Sequence, residues 1–347
     1  MRVSCSAPGK LVLIGEYSVL WGHPALVAAV DRRARVELSP TGGPDCRVAA
    51  PGLRDEALTF TLGRRGAVAW DRPEQALPLV TALLPAMSRR RLPATGLAPF
   101  DARLDTTAFF AGRGGVKLGL GSSAAVTTAL ATALAAWGGS PGPSPVGLEE
   151  LVGFHRAVQG GRGSGIDIAA ALLGGVVEYR LDKAGGVACA RPLALPADLS
   201  VLFVWTGRAA DTGSFLAGLE HGLRTDRSGV EGALHRLGAV AASVVDAVRQ
   251  GRTGDVLFGV DTFWDGLEAL GAAAGLDILS DAHRDLRRVV AAHGGHYKPS
   301  GAGGGDAGLA FLPGEGRNGA VAAAVREAGY GVLDVNVEPA GLKMRLA

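Results

Sequence analysis

A chain of 347 residues that is 48% apolar and 20% charged is long enough for two packed domains, and it lacks the composition of a disordered protein. Its 35 basic and 33 acidic residues leave a net charge of +2, which argues against a general nucleic-acid surface but leaves room for a local basic pocket. No uncharged run reaches the ~18–20 residues that a bilayer requires.

Lys10 and Glu16 interrupt the apolar N-terminus before a secretory core can form. Cys5, Cys46 and Cys189 show no metal-type spacing and read as reduced thiols. The expectation is a cytoplasmic protein with no membrane or nucleic-acid partner, monomeric or homodimeric. Its 53 glycines are spread along the whole chain, so only local clusters of them carry information.

In chain order, residues 2–5 and 11–14 predict strands, with Lys10 at the start of the second, and β-branched content predicts another over 26–38. The alanine-rich, proline-free run after Ser122 and Ser123 predicts a buried helix reaching Trp137, with the serines as N-caps. The breaker GGSPGPSP at 138–145 ends it. Then come a helix over 148–159, strands over 174–179 and 200–205, and helices over 230–250 and 280–293. A glycine-rich loop from 301 runs into an apolar strand, followed by a helix near 317–328 and a last strand near 332–337. Strands and helices alternate, as in an α/β or α+β protein. Pro192 and Pro196 mark a domain junction, dividing the chain into 1–195 and 196–347.

Chemistry concentrates at Gly119-Leu120-Gly121-Ser122-Ser123-Ala124. Glycines allow a tight turn and close approach of an anion to the main chain. A helix beginning there adds free N–H groups and its dipole, which together form an anion site. The serine hydroxyls can bond phosphate oxygens or ligate Mg²⁺. The spacing matches neither a Walker A loop nor a Rossmann fingerprint, and by itself it fits an ordinary serine-capped helix equally well. Two further clusters accompany it: Ala7-Pro8-Gly9-Lys10 with Gly15-Glu16-Tyr17 and Gly22-His23-Pro24, and Lys298-Pro299-Ser300-Gly301-Ala302-Gly303-Gly304-Gly305-Asp306.

These three clusters, in this order, resemble the motifs of the galacto-, homoserine, mevalonate and phosphomevalonate kinases, the GHMP kinases. The resemblance covers essentially the whole chain. It implies an α+β, two-domain GHMP kinase fold, with a ribosomal protein S5 domain 2-like N-terminal domain and a ferredoxin-like C-terminal domain. ATP, Mg²⁺ and a small-molecule acceptor would meet in the cleft between them.

On this resemblance Gly119 to Ala124, with Lys117, would hold the ATP phosphates, and Ser122 or Ser123 would sit near Mg²⁺. Glycines 301 to 305 would buttress that loop. The segment GSGIDI at 163–168 resembles the one carrying the family's catalytic aspartate, which implies that role for Asp167; a capping carboxylate is the alternative. Lys10 would pair with the acceptor and the transferred phosphate. Glu16, Tyr17, His23, Ser164, Gly165, Arg208, Ser300, Gly301, Ala302 and Gly303 would contact the acceptor, with Lys117, Arg208 or Arg162 assisting Lys10.

Gly-Glu-Tyr at 15–17, Asp306, and Trp205-Thr206-Gly207-Arg208-Ala209-Ala210-Asp211-Thr212 resemble the phosphomevalonate branch, which implies 5-phosphomevalonate as acceptor. Mevalonate and other small molecules stand behind it, followed by the related diphosphomevalonate decarboxylase and a non-catalytic sensor. The sequence departs from the mevalonate kinases at His155, where they carry a Mg²⁺-ligating glutamate; Glu149 and Glu150 fall one to two turns earlier. His155 and Arg156 would either face an anionic acceptor or be polar positions on a half-exposed helix.

Overall fold

The computed structural model describes residues 1–90, 92, 96–111, 115–140, 142, 145–208 and 212–347, with the backbone only at Thr212. In the first domain lie β1 (Val3–Ile14), β2 (Ala25–Pro40), β3 (Cys46–Ala49), β4 (Leu58–Leu62), β5 (Val68–Trp70), α1 (Pro78–Ser88) and β6 (Phe100–Asp105). They are followed by α2 (Ser122–Trp137), α3 (Leu148–Val158), α4 (Ile166–Leu173), β7 (Val176–Leu181) and β8 (Val187–Leu193).

The strands predicted over 2–5 and 11–14 are one strand, with an irregularity at Pro8/Gly9 where proline is tolerated. Lys10 is therefore mid-strand. The run Ala25–Val30 is buried on both faces, as a near-continuous apolar strand should be. Leu11, Leu26 and Ala28 face the main core, which also holds α2. Val12, Val27 and Ala29 face a smaller one with Ile166, Ala170 and Val177. Strand β2 bridges the sheet, pairing β7 through its first residues and β6 through its last.

The second domain contains β9 (Leu199–Trp205), α5 (Thr212–Thr225), α6 (Arg227–Arg249), α7 (Thr253–Ala274), α8 (Asp281–Ala292), β10 (His296–Ser300), β11 (Ala307–Pro313), α9 (Asn318–Glu327) and β12 (Gly331–Leu333). Its 4-stranded antiparallel sheet has the order β10-β11-β9-β12, the ferredoxin-like arrangement. Helix α7 is absent from the sequence expectation because glycine is a poor helix former. The structure gives its glycines a packing role. A Cβ at Gly259 would stand 2.3 Å from Val244, and one at Gly266 2.7 Å from Leu237, both on α6.

The strand expected over 332–337 ends at Leu333, and an unanticipated strand, β13 (Lys343–Leu346), pairs β1 in the 9-stranded sheet. Arg33 anchors this return, donating to the carbonyls of Ala340 at 2.8 Å and Gly341 at 2.6 Å. The tail past 340 therefore lies on the first domain, although the division at 196 assigns it to the second. Among the described residues, no helix is long and apolar enough to cross a membrane.

Candidate active site

The loop before α2 is shaped by its neighbours. Lys10 N–H donates to the Leu120 carbonyl at 2.8 Å, and a Cβ at Gly9 would stand 2.6 Å from that oxygen. Gly119 and Gly121 take φ of 71° and 75°, the left-handed region open to glycine. The stem of Lys10 fills the place of the missing Gly121 side chain, its Cγ 2.8 Å from where a Cβ would be. The Asp306 carboxyl does the same at Gly119. Thus the three sequence clusters meet here. The serines are not the caps: Gly121 is the N-cap, no side chain caps the helix, and Ser122 and Ser123 are the first helical residues. Their N–H groups belong to the first turn, whose donors have no intrahelical acceptor.

Beside the loop is a cavity of about 420 Å³ between the domains. Lys10, Glu16, Arg162 and Asp167 reach it, while Val12, Val19, Leu20 and Leu216 form an apolar wall. Asp167 occupies the first turn of α4, after Gly165 in the left-handed conformation. That turn is pinned by the Tyr179 hydroxyl, which donates to the Ser164 carbonyl at 2.7 Å, and by Val152 packed against Gly165. Asp167 Oδ1 accepts the Ile168 N–H at 3.2 Å, so the carboxylate serves its helix and still lines the cavity. Arg162 stands 3.7 Å from Glu220 of α5 at the mouth.

The cavity floor ties the two domains together. Lys298 is completely buried and donates at 2.5 Å to both Glu16 Oε1 and the Pro299 carbonyl. Burial pushes the Lys298 ammonium below its ordinary range, and Glu16 opposes that shift. The Gly301 N–H lies 3.4 Å from Glu16 Oε1, Ser300 Oγ donates to the Val12 carbonyl at 3.0 Å, and Tyr17 donates to the Ala302 carbonyl. Burial holds the Tyr17 hydroxyl well above the ordinary tyrosine range, so it stays a donor. Glu16 Oε2 is buried without a partner.

Of the residues expected at the acceptor, Glu16, Tyr17, Ser164, Gly301 and Ala302 line the cavity, and Ser300 and Gly165 support its walls. His23 does not: it packs on α6, Nε2 3.4 Å from His235 Nδ1. Arg208 lines a different hollow with Asp281, Asp285 and Tyr330, because its carbonyl is held by the Asp306 N–H at 2.7 Å. Gly303 backs onto Ile278. Lys117 is exposed and bridges Phe110 at the loop's rim. Ala124 is buried in α2. Ala209, Ala210 and Asp211 lie outside the described residues.

Neither sequence reading of His155 holds. It is 2% exposed, with Nε2 3.3 Å from Ser123 Oγ and Nδ1 4.0 Å from Asp167 Oδ1. Arg156 donates Nε–H to the Gly163 carbonyl at 2.9 Å.

The glycine cluster at Gly301–Gly305 has a support that the sequence does not reveal. Buried His283 reaches the Gly305 carbonyl through Nε2 at 3.1 Å and the Tyr297 hydroxyl through Nδ1 at 2.9 Å. Burial pushes this imidazole down to about 4, from 6.5. Between those values the unfolded chain binds a proton that the folded state refuses, so stability is complete above pH 6.5 and falls as pH drops towards 4. The loss is on the order of 3 kcal/mol. Denaturant unfolding at pH 7, 5 and 4 should show this slope in the wild type and lose it in His283→Gln.

Comparison with known proteins agrees with this geometry. Residues 90–175 match the GHMP kinases N terminal domain. The phosphomevalonate kinase of Streptomyces sp. (strain CL190) is 29% identical over 96% of both chains. The mevalonate kinase of Aeropyrum pernix is 31% identical, over 50% of this chain and 49% of its own. The solved structure of Streptococcus pneumoniae phosphomevalonate kinase with phosphomevalonate and AMPPNP superposes with a TM-score of 0.77 at 21% identity, covering 96% of this chain and 99% of that one.

The chain is a small-molecule kinase that takes its phosphoryl group from ATP. Its similarity is to the GHMP kinases, through the N-terminal domain match at residues 90–175, and along its length to phosphomevalonate kinase.

Proposed function

We propose that this kinase transfers the terminal phosphoryl group of ATP to 5-phosphomevalonate, giving 5-diphosphomevalonate. The observation that carries the reading is a cavity with two cations, Lys10 and Arg162, beside Asp167 and opposite an apolar wall. The cations suit a phosphorylated acceptor and the wall suits its carbon skeleton. The full-length similarity to the Streptomyces phosphomevalonate kinase supports it.

Phosphoryl transfer is mostly positioning and charge stabilisation. The helix N-terminus at Ser122 and Ser123 would hold the ATP phosphates. Lys10, fixed along Gly121, would stand between donor and acceptor anions, with Arg162 at the mouth. Among the described residues, no group of three or more His, Cys, Asp or Glu is placed to hold a metal. Kinases bind Mg²⁺ through one or two carboxylates together with substrate phosphates. Ser122, Ser123 and Asp167 would be its protein contacts, and the ion would neutralise phosphate charge.

A phosphate acceptor, with a second pKa near ~6, is already largely dianionic at pH 7 and needs little base help. Asp167 then orients the attack. Asp167→Asn should accordingly lower kcat by less than ~10²-fold, whereas a hydroxyl acceptor losing its general base would cost ~10²–10⁴-fold.

Mevalonate is the second reading, favoured by the Pyrococcus furiosus mevalonate kinase, 26% identical over 99% of this chain and 98% of its own. The test offers ATP with 5-phosphomevalonate, mevalonate, homoserine and galactose, one at a time, and follows ADP and carbon dioxide. Turnover of mevalonate but not its phosphate would overturn the first reading; carbon dioxide release would point to a decarboxylase.

A further inference from the structure

We infer that His155 is a positioning residue that couples the phosphate-binding helix to the aspartate helix and fixes the direction of the Ser123 hydroxyl. Its imidazole lies between the two helices, with Nε2 3.3 Å from Ser123 Oγ of α2 and Nδ1 4.0 Å from Asp167 Oδ1 of α4. In a neutral imidazole one nitrogen donates and the other accepts. A carboxylate only accepts, so the Asp167 charge 4.0 Å from Nδ1 favours the proton there and leaves the lone pair on Nε2.

Ser123 Oγ, 3.3 Å from Nε2, must then donate its proton to the ring. A serine hydroxyl has one proton to give. Once that proton is committed to His155, the oxygen acts outwards only as an acceptor, suited to a cation on the ATP phosphates and unsuited to donating to the phosphates themselves. At 2% exposure the ring is shielded from bulk water, which could otherwise satisfy either partner. The inference rests on the ATP-dependent kinase reaction, not on the identity of the acceptor.

The test compares wild type, His155→Gln, Ser123→Ala and the double variant. It uses whichever acceptor the wild type turns over, with thermal unfolding recorded for each. Calorimetry supplies a second readout: ATP affinity with and without Mg²⁺, in the absence of any acceptor. A glutamine amide keeps polarity and approximate reach but can present its N–H₂ to Ser123 in place of a lone pair.

The expected result is a fall of about tenfold or more in kcat for His155→Gln, with KM for ATP and the unfolding midpoint little changed. Mg²⁺ should also tighten ATP binding less than in the wild type. Because His155 acts through Ser123, the double variant should lose no more than the worse single variant. Additive losses, or a His155→Gln enzyme with wild-type kcat and wild-type Mg²⁺ enhancement, would overturn the inference. If no acceptor is turned over, the acceptor reading fails, while the Mg²⁺-dependent ATP affinity still decides the role of His155.

Discussion

Lys10→Met should lower kcat/KM about 10²–10³-fold, the scale expected when one preorganised charge-stabilising donor is removed from a phosphoryl-transfer site. Methionine keeps much of the apolar stem that lies over Gly121, so the unfolding midpoint should move little. The loss would then belong to the ammonium. KM for the acceptor should rise along with the fall in kcat, because the lysine is proposed to meet that substrate as well as the transferred group. Gly121→Ala should reproduce part of the defect without touching the charge. It places a methyl 2.8 Å from the Lys10 Cγ and puts a side chain at φ 75°. Unchanged steady-state constants in Lys10→Met would remove Lys10 from the site.

Lys298→Met should cost about 3–5 kcal/mol of stability, because it leaves the Glu16 carboxylate buried without its cation. The carboxylate side chain is 4% exposed and already has one unpartnered oxygen, so no compensating solvation is at hand. Urea unfolding measures the loss. Replacing both members, Lys298→Met with Glu16→Leu, should recover most of it, since an apolar pair of similar volume removes the desolvation burden altogether. A double variant no more stable than Lys298→Met would mean that the packing around this pair, not its charge, sets the cost.

Much of the phosphate side of the site was legible because close backbone approach leaves a mark in sequence. Gly9, Gly119 and Gly121 are glycines for steric reasons that a reader can anticipate from clustering alone. The partners that fill those gaps could not be anticipated. That the Lys10 stem occupies the space at Gly121, or that Asp306 meets Gly119, depends on segments far apart in the chain folding together.

The setting of His155 is hidden from the sequence for a related reason. Leu151 and Phe154 mark the buried face of α3, and a histidine beside them is polar by composition, so its burial against Ser123 and Asp167 could be seen only once three helices were assembled. Sequence shows Lys298 only as the head of a glycine-rich cluster, whereas its ammonium joins the two domains through Glu16. His23 and Arg208 failed to reach the cavity because local hydrogen bonds and packing on the second domain hold them elsewhere. Helix α7 was hidden by the very glycines that let α6 approach it.

The return of β13 to β1 bears on how the molecule is made. Val3 lies opposite Leu346, so the strand that carries Lys10 is synthesised long before one of the neighbours it pairs with. Until residue 346 has left the ribosome, that edge of the 9-stranded sheet has unpaired backbone groups. Pairing across so long a separation is slow to form, and an open edge awaiting it is prone to pairing with other chains. Nascent copies should therefore depend on chaperones until β13 has emerged, and variants cut before 343 should accumulate in inclusion bodies even with both cleft walls intact.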